Sequence, residues 1–341
     1  MTTFGEQWQS LGKAGLLGVG FPSRFGGQGG GPAEVWRTAR RVGESAFDLS
    51  VGLSWISHQI AARFLLGQYG NEEQKAAWLP RLATGQAVAA IAVDEAETEP
   101  NLWNLHATYR PAGDNTLVLE GTKLKVINAS VAELLLFFAV ARPEEELGGL
   151  QAFLVHRDTP GVSLREVEGR SYCPSSPQSN VVLTDCKIPL ASALGTPEQC
   201  VEMLGRIGEQ HDVLVLQVIC GYLSRLVDEL RPLLRRSDRD RLTSLLLRGR
   251  MQALNSLTRA VAAGWEDREE KQTHLASAQL AARELIQLTR NDLGDLPDHP
   301  AVLAAQRDLE LISLAWPRTK NRFLQAVRDE ERDEDGSPSP A

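Results

Sequence analysis

Hydrophobic residues in the first 85 positions recur at helical spacing, and glycine-rich segments separate the predicted helices. Ile56, Ile60, Phe64 and Leu65 share one face of a helix over Ser54–Tyr69. Proline and glycine clusters end the helical pattern between these segments. Similar spacing predicts three further helices: Phe4–Leu17, Ala33–Glu44 and a segment capped by Asn71 that runs through Leu79.

Short apolar segments replace the helical pattern from Gln86 onward. Turn-forming residues separate many of them, as at Pro111–Asn115 and Asp158–Gly161. Several short strands with such turns are typical of a small antiparallel barrel or sandwich. The predicted strands are Val88–Val93, His106–Arg110, Thr116–Glu120, Leu134–Val140, Gln151–Val155, Val162–Val167 and Asn180–Leu183.

Helical spacing returns after Pro189, and four long amphipathic segments with short connections predict a four-helix bundle. The segments are Val201–Leu234, Arg239–Trp265, Glu269–Asn291 and Pro300–Arg328. The last residues are acidic and end in Ser and Pro, which is typical of a disordered tail. We therefore predict an α+β chain that is mostly helical. Its parts are a helical domain at 1–85, a β domain at 86–196, a helical bundle at 197–329 and a tail at 330–341.

Composition narrows the class of protein. The 341 residues carry 36 Lys and Arg against 44 Asp and Glu, a net charge of −8. An acidic chain without a basic block disfavours binding to nucleic acid. We find no apolar segment long enough to span a bilayer, no secretory signal and no CxxC pair. We expect a cytoplasmic protein with reduced cysteines, no metal site and no membrane span.

A set of motifs then points to one family. Their shared order and spacing resembles the acyl-CoA dehydrogenase family over roughly residues 11 to 200, with a shortened N-terminal helical domain. The motifs are Gly15–Pro22, Phe25–Gly27, Tyr69–Lys75, Trp78–Gly85, Leu119–Lys123, Ile127–Asn128, Ala152–Val155, Thr159–Val162, Asp185–Pro189 and Leu194–Gly195.

The resemblance implies a fold of N-terminal helices, a central β domain and a C-terminal four-helix bundle. It also implies a flavoenzyme that removes hydrogen from the α and β carbons of an acyl thioester. In that chemistry a carboxylate takes the α-proton and FAD takes the hydride. Members of the family are commonly oligomers built through the bundle, as identical subunits or as pairs in which one subunit has lost its catalytic parts.

The family's flavin and acyl loop usually reads Thr-Glu-Pro-Gly-Ala-Gly-Ser-Asp, and this chain departs from it. The matching positions run from Asp94 to Asn101, and of these Glu95 alone keeps the family residue. Pro100 stands where the serine is expected and offers neither a hydroxyl nor an amide donor. The added carboxylates repel the phosphates of a dinucleotide. This loop predicts a weakened cofactor site.

The second flavin segment, usually Lys-Met-Trp-Ile-Thr-Asn-Gly, is also altered. Lys125 replaces the aromatic residue, Ile127 replaces the threonine, and Asn128 is kept. A flavin ring needs a flat apolar face with matched polar partners, so these changes argue against tight binding. In the bundle, Arg235 and Arg239 are candidates to reach a cofactor phosphate; the other interpretation is a solvated loop.

The usual catalytic glutamate position falls near Trp316, and indole cannot accept a carbon-bound proton. A minority of the family places its base on the first bundle helix, where His211 matches. Histidine has a suitable pKa for a base near neutral pH. The other interpretation is a solvated histidine beside Glu209 and Asp212.

The leading hypothesis is an atypical subunit that lacks a complete FAD site and base and works in a homo- or hetero-oligomer. One alternative is an active flavin-dependent oxidoreductase on an unusual acyl-CoA or carrier-bound acyl group. A second alternative is a flavin-free module that binds acyl thioesters.

Overall fold

The computed structural model describes residues 3–45, 49–95, 105–142, 149–168, 176–230 and 238–263, with positions 275, 277, 278, 280–287, 291, 302 and 303. The chain divides into two compact units, Met1–Tyr222 and Leu223–Ala341. Its architecture confirms the predicted class: helices, a sheet, then long helices. Within the described residues, no helix is both long and apolar enough to cross a membrane.

The first unit opens with two helices, α1 at Phe4–Lys13 and α2 at Pro32–Ser45. A capping box between Thr3 and Glu6 starts α1. The helix ends at Lys13, short of the predicted Leu17, and Gly15 follows with a φ of +72°. That left-handed conformation is readily available to glycine and breaks the helix.

The predicted helix over Ser54–Tyr69 is three consecutive segments. Helix α3 covers Leu49–Gln59, a π-helix covers Ile60–Leu66, and α4 covers Gly67–Tyr69. Apolar spacing alone does not separate α- from π-helical turns, so the change of pitch is absent from the prediction. Helix α5 at Glu72–Thr84 confirms the predicted cap, since Gln74 N–H donates to Asn71 Oδ1 at 2.8 Å.

An eight-stranded sheet follows, and it is mixed rather than antiparallel as predicted. Strand β4 pairs in parallel with both β1 and β2, while the other pairings are antiparallel. Alternating apolar residues indicate a strand but not the direction of the strand beside it, which explains why the parallel pairs were not predicted. The strands are β1 Ala89–Ala92, β2 Thr108–Pro111, β3 Thr116–Val126, β4 Leu134–Ala141, β5 Leu150–His156, β6 Val162–Arg165, β7 Ser179–Pro189 and β8 Ala193–Leu194.

Strands β3 and β7 are longer than predicted, because irregularities in their pairing interrupt the apolar alternation. Their register shifts between Leu119 and Gly121 and again between Lys123 and Val126. A bulge adds a residue on one strand and turns the following side chains to the opposite face. The second irregularity redirects the strand at the residues matched to the flavin segment.

The long helices after the sheet are α6, Pro197–Leu230, and α7, Asp238–Ala263. They agree with the first two bundle segments to within a few residues. Of the other two predicted segments, the structure describes scattered positions, and residues 280–287 are helical. The predicted tail at 330–341 and Trp316 lie outside the described residues.

Candidate functional site

The end of β1 and the middle of β3 meet at a buried ion pair. Lys123 is wholly buried, and its Nζ lies 2.5 Å from Oε1 of Glu95, whose side chain is 5% exposed. The same ammonium donates to Val93 O at 3.1 Å and lies 5.1 Å from the centre of the Phe137 ring. Burial lowers the pKa of Lys123 to about 8, against the opposing effect of Glu95.

The Glu95 carboxylate also connects Lys123 to the backbone at His106 and Ala107. It accepts hydrogen bonds from the backbone N–H groups of His106 and Ala107 at 2.6 and 3.1 Å. Asp94, partly buried, has its carbonyl oxygen 2.7 Å from Leu124 N. Pro100 lies outside the described residues. Glu95 therefore links the start of the segment that matches the family's flavin and acyl loop to His106 and Ala107.

Lys125 sits at the irregularity in β3 with a φ of +51°, a left-handed conformation uncommon for a residue with a side chain. Its backbone N–H donates to Asn180 Oδ1 at 2.9 Å, and its side chain is exposed. Ile127 is partly buried. The two positions thus present a flexible cation and an aliphatic group rather than a flat ring and a hydroxyl.

Asn128 is fully buried, with a φ of +72°. Its Nδ2 donates to Ser54 O at 2.9 Å and Ala89 O at 3.2 Å, which fixes the orientation of the amide. Its Oδ1 then has no hydrogen-bond partner among the described residues, and neither does Ser54 Oγ. This amide ties α3 to β1, and its donor group is not available to a ligand.

Known proteins share this architecture. Residues 2–86 match the N-terminal domain of acyl-CoA dehydrogenases. The chain is 30% identical to an L-prolyl-[peptidyl-carrier protein] dehydrogenase of Pseudomonas fluorescens, over 57% of this chain and 51% of that protein. It is 31% identical to an acryloyl-CoA reductase (NADH) of Anaerotignum propionicum, over 56% of this chain and 48% of that protein.

Solved structures agree on the fold. A FAD-dependent dehydrogenase superposes with a TM-score of 0.82 at 22% identity, covering 94% of this chain and 91% of that one. PigA with FAD and proline superposes with a TM-score of 0.83 at 18% identity, covering 94% and 88%. The chain is similar to acyl-CoA dehydrogenases in its N-terminal domain and has the fold of these solved structures. It spans about half the length of the curated relatives that it matches.

The described residues at the acyl-CoA dehydrogenase flavin positions do not fit an isoalloxazine ring. The Glu95 oxygens bind Lys123, His106 and Ala107, and the Asn128 amide donates to backbone carbonyls. Lys125 offers an ammonium in place of a ring. Stacking needs a flat apolar surface, and hydrogen bonding to the ring edge needs an available donor. Among the described residues at these positions the flat apolar surface is absent, the Glu95 and Asn128 side chains are already engaged, and the remaining side-chain donor is the exposed Lys125 ammonium.

His211, the predicted base, lies on α6 with 39% of its side chain exposed. Its Nδ1 is 3.5 Å from Asp212 Oδ1, and no hydrogen bond among the described residues joins it to Glu95, Lys125 or Asn128. Arg239 lies in α7, where its side chain is not described, and Arg235 lies outside the described residues. The structure therefore brings Asp94, Glu95, Lys125, Ile127 and Asn128 to one region, and His211 shares no hydrogen bond with Glu95, Lys125 or Asn128 among the described residues.

Two features were missing from the sequence-based candidates. A cavity of about 720 Å³ lies at the junction of β6 and β7, lined by residues 164–168 and by Gln178 and Ser179. The second is Lys123 as the partner of Glu95: Glu95 was a sequence-based candidate, and Lys123 was not. Their retention in otherwise altered motifs was the available signal, and it marked a structural role.

Proposed function

We propose that this chain is an atypical acyl-CoA dehydrogenase-type subunit that lacks a complete FAD site and base of its own. The family reaction is FAD-linked α,β-dehydrogenation of an acyl thioester. The observation that carries the proposal is the segment from Lys125 to Asn128. It replaces the ring and hydroxyl of a flavin site with an exposed cation and an aliphatic side chain.

The position of His211 supports the same proposal. A general base must lie within hydrogen-bond reach of the proton it removes. The ring of His211 is half exposed beside Asp212, which is an ordinary setting for a solvated histidine. The Glu95 carboxylate is held by Lys123 and two backbone amides, so it is engaged rather than poised as a base.

Helix α7 supports a role in an oligomer. Leu242, Leu245 and Leu246 recur at i, i+3 and i+4 and share one face of the helix. They are 55%, 59% and 44% exposed. Adjacent exposed leucines on one helical face are typical of a subunit contact. The partner in this proposal is a second copy or a catalytic homologue.

The test is flavin stoichiometry. The chain is purified alone and after co-expression with a full-length, flavin-binding acyl-CoA dehydrogenase homologue, and FAD is measured per polypeptide after heat release. We expect colourless protein alone and, in a complex, flavin in proportion to the homologue only. FAD bound in proportion to this chain contradicts the proposal. Acyl-CoA-dependent melting without flavin favours the flavin-free binding module.

The alternative is an active oxidoreductase on an acyl group carried by a protein. Two relatives, from Pseudomonas fluorescens and Serratia, are L-prolyl-[peptidyl-carrier protein] dehydrogenases. In this case His211 is the base, and His211→Gln abolishes turnover of a carrier-bound acyl thioester. His156 on β5, 42% exposed and 3.3 Å from Glu133, supplies a matched control, His156→Gln, which retains activity. Equal activity in both variants removes His211 from the reaction.

A further inference from the structure

The Arg63 side chain is a largely enclosed cation in the helical part of the first unit. Arg63 occupies the middle of the π-helix Ile60–Leu66, and its Nη2 donates to Gln210 Oε1 of α6 at 2.7 Å. Its Nε is buried and has no hydrogen-bond partner among the described residues. No ion pair joins it to a carboxylate in the part of the chain that the structure describes. A buried charge normally requires such a partner.

The surroundings make room for the Arg63 side chain. Gly20 has a φ of +76°, and a Cβ at that position would lie 2.5 Å from Arg63 Cδ. The same Cβ would lie 2.9 Å from Val35 Cγ2 of α2. The alkyl part of Arg63 therefore packs where Gly20 has no side chain, while the guanidinium reaches α6. π-helical turns are often found at functional sites, and this one sets the position of Arg63.

A second guanidinium lies next to the first. Arg206 precedes Gln210 by one turn of α6, so the two residues share a face. It lies 5.2 Å from the centre of the Phe64 ring, and its Nη1 is 2.8 Å from Glu202 Oε1. Burial lowers the pKa of Arg63 to about 10, and the charge of Arg206 adds to this effect. The Arg206 side chain is 43% exposed, which gives the cluster access to solvent.

We propose that Arg63, Arg206 and Gln210 form a binding site for a phosphate group. Guanidinium groups bind oxyanions through paired N–H donors. Arg63 has an unused Nε donor, and the carboxylates near the cluster, Glu202 and Glu209, act on Arg206 and leave Arg63 without an ion pair among the described residues. A phosphate or phosphate monoester supplies acceptor oxygens and the negative charge that Arg63 lacks. The site does not depend on the proposed function, since it contains none of the flavin-position residues.

The experiment compares the wild-type chain with Arg63→Met, which keeps the alkyl packing and removes the charge. Melting temperature and equilibrium dialysis are measured with inorganic phosphate, against sodium chloride at equal ionic strength. Arg37→Met is the matched control, because Arg37 is 71% exposed and lies on the neighbouring helix α2. Arg63→Lys keeps a charge without the planar fork and serves if Arg63→Met does not fold.

We expect phosphate to raise the melting temperature of the wild type and Arg37→Met in a saturable way. Arg63→Met and Arg63→Lys should weaken phosphate binding by about tenfold or more. Without phosphate, Arg63→Met should melt at or above the wild-type temperature, because an uncompensated charge is removed. A wild type that responds only to ionic strength, or an Arg63 variant with wild-type affinity, overturns the proposal.

The source of the phosphate is distinguished with a second probe. Binding of inorganic phosphate and 4′-phosphopantetheine with equal affinity supports a free-anion site. Tighter binding of 4′-phosphopantetheine supports recognition of the thioester carrier's own phosphate. Absence of binding for both probes refutes the site. Each of these measurements is independent of bound flavin and of turnover.

Discussion

Lys123 Nζ and Glu95 Oε1 lie 2.5 Å apart in the interior of the sheet, and both side chains are almost fully buried. The carboxylate also accepts two backbone N–H bonds from His106 and Ala107. Through these contacts Glu95 joins Lys123 on β3 to the chain on both sides of the loop that matches the family's flavin and acyl loop. Glu95 and Lys123 keep the family's residues although most of the loop that follows Glu95 differs from the family motif. We therefore assign the pair a role in stabilising the fold.

Removing one member of this pair should be costly. Lys123→Met leaves the Glu95 carboxylate buried without its cation, and we expect a loss of about 3–5 kcal/mol in the free energy of unfolding. Urea denaturation measures the change. Lys187→Met is the control, because Lys187 lies 3.9 Å from Asp185 with both side chains more than half exposed. That variant should lose about 0.5 kcal/mol or less.

A double variant separates the pair from its surroundings. Glu95→Gln with Lys123→Met removes both charges, so its cost should be smaller than the sum of the two single changes. Additive costs, or a Lys123→Met protein as stable as Lys187→Met, contradict the assignment of the pair as a buried structural contact.

Two glycines mark the closest approach of α2 and α6. A Cβ on Gly221 would lie 2.0 Å from Arg40 O, and one on Gly43 would lie 2.1 Å from Val218 O. Gly221→Ala and Gly43→Ala must therefore push the helices apart, at a cost of about 3 kcal/mol or more in unfolding free energy.

Gly249 on α7 provides the matched control for these glycines. It has no atom within 4 Å of an added Cβ, so Gly249→Ala should stabilise the protein by about 0.5–1 kcal/mol through helix propensity. Thermal denaturation of the three variants gives the comparison. Similar melting temperatures for Gly221→Ala and Gly249→Ala would show that the helices are not in such close contact.

Local chemistry was predictable from the sequence, and long-range geometry was not. The Asn71 cap and the start of α2 at Pro32 follow from side-chain and backbone preferences that act within one helical turn. The parallel pairing of β1 with β4 joins residues more than forty positions apart and leaves no local signature. In the sequence, Gly221 looks like any other glycine within a helix. Its close contact with Arg40 is visible only in the structure.

In the candidate site, too, the chemistry of single positions was predictable from the sequence and the geometry was not. The replacements at Lys125 and Ile127 were visible in the sequence, because they change the chemistry of individual positions. Lys125's left-handed backbone arises from pairing between β3 and β7, so only the structure shows it. Arg63 has no motif, and its significance comes from burial against Gln210, at a separation of 147 residues.

Buried His58 should make the protein sensitive to acid. Its Nε2 lies 3.1 Å from Leu82 O, and its Nδ1 accepts from Ala89 N–H at 3.2 Å, which is a neutral tautomer. Burial lowers the pKa of His58 to about 4 from 6.5, partly opposed by the Leu82 contact. The unfolded chain takes up the proton first as pH falls, so stability is complete above pH 6.5 and declines from there towards pH 4.

The expected loss between these pH values is about 3 kcal/mol of unfolding free energy. Urea denaturation at pH 7 and near pH 4.5 measures it, and NMR titration of the His58 ring should show a midpoint near 4. His58→Gln should reduce the pH dependence of the unfolding free energy. A His58 midpoint near its ordinary value would refute the explanation.

Gln74 connects the start of α5 to the segment after β7, beyond its role in the cap. Its Oε1 accepts from Asn71 N–H at 3.1 Å, while its Nε2 donates to Ala191 O at 3.0 Å and to Ala193 O at 2.8 Å. Glutamate serves as well as glutamine in an isolated capping box. Here it has no N–H to donate and would place a carboxylate against two carbonyl oxygens.

Gln74→Glu should therefore cost about 2–3 kcal/mol in unfolding free energy, because the buried Gln74 position loses two donated hydrogen bonds and gains a carboxylate that faces two carbonyl oxygens. Asn71→Ala, which removes only the cap, should cost about 1 kcal/mol. Glu73→Gln is the control, since Glu73 is exposed in the same turn. Denaturant titration ranks the three variants. A Gln74→Glu protein no less stable than Asn71→Ala would mean that the contacts to Ala191 and Ala193 add nothing to the helix cap.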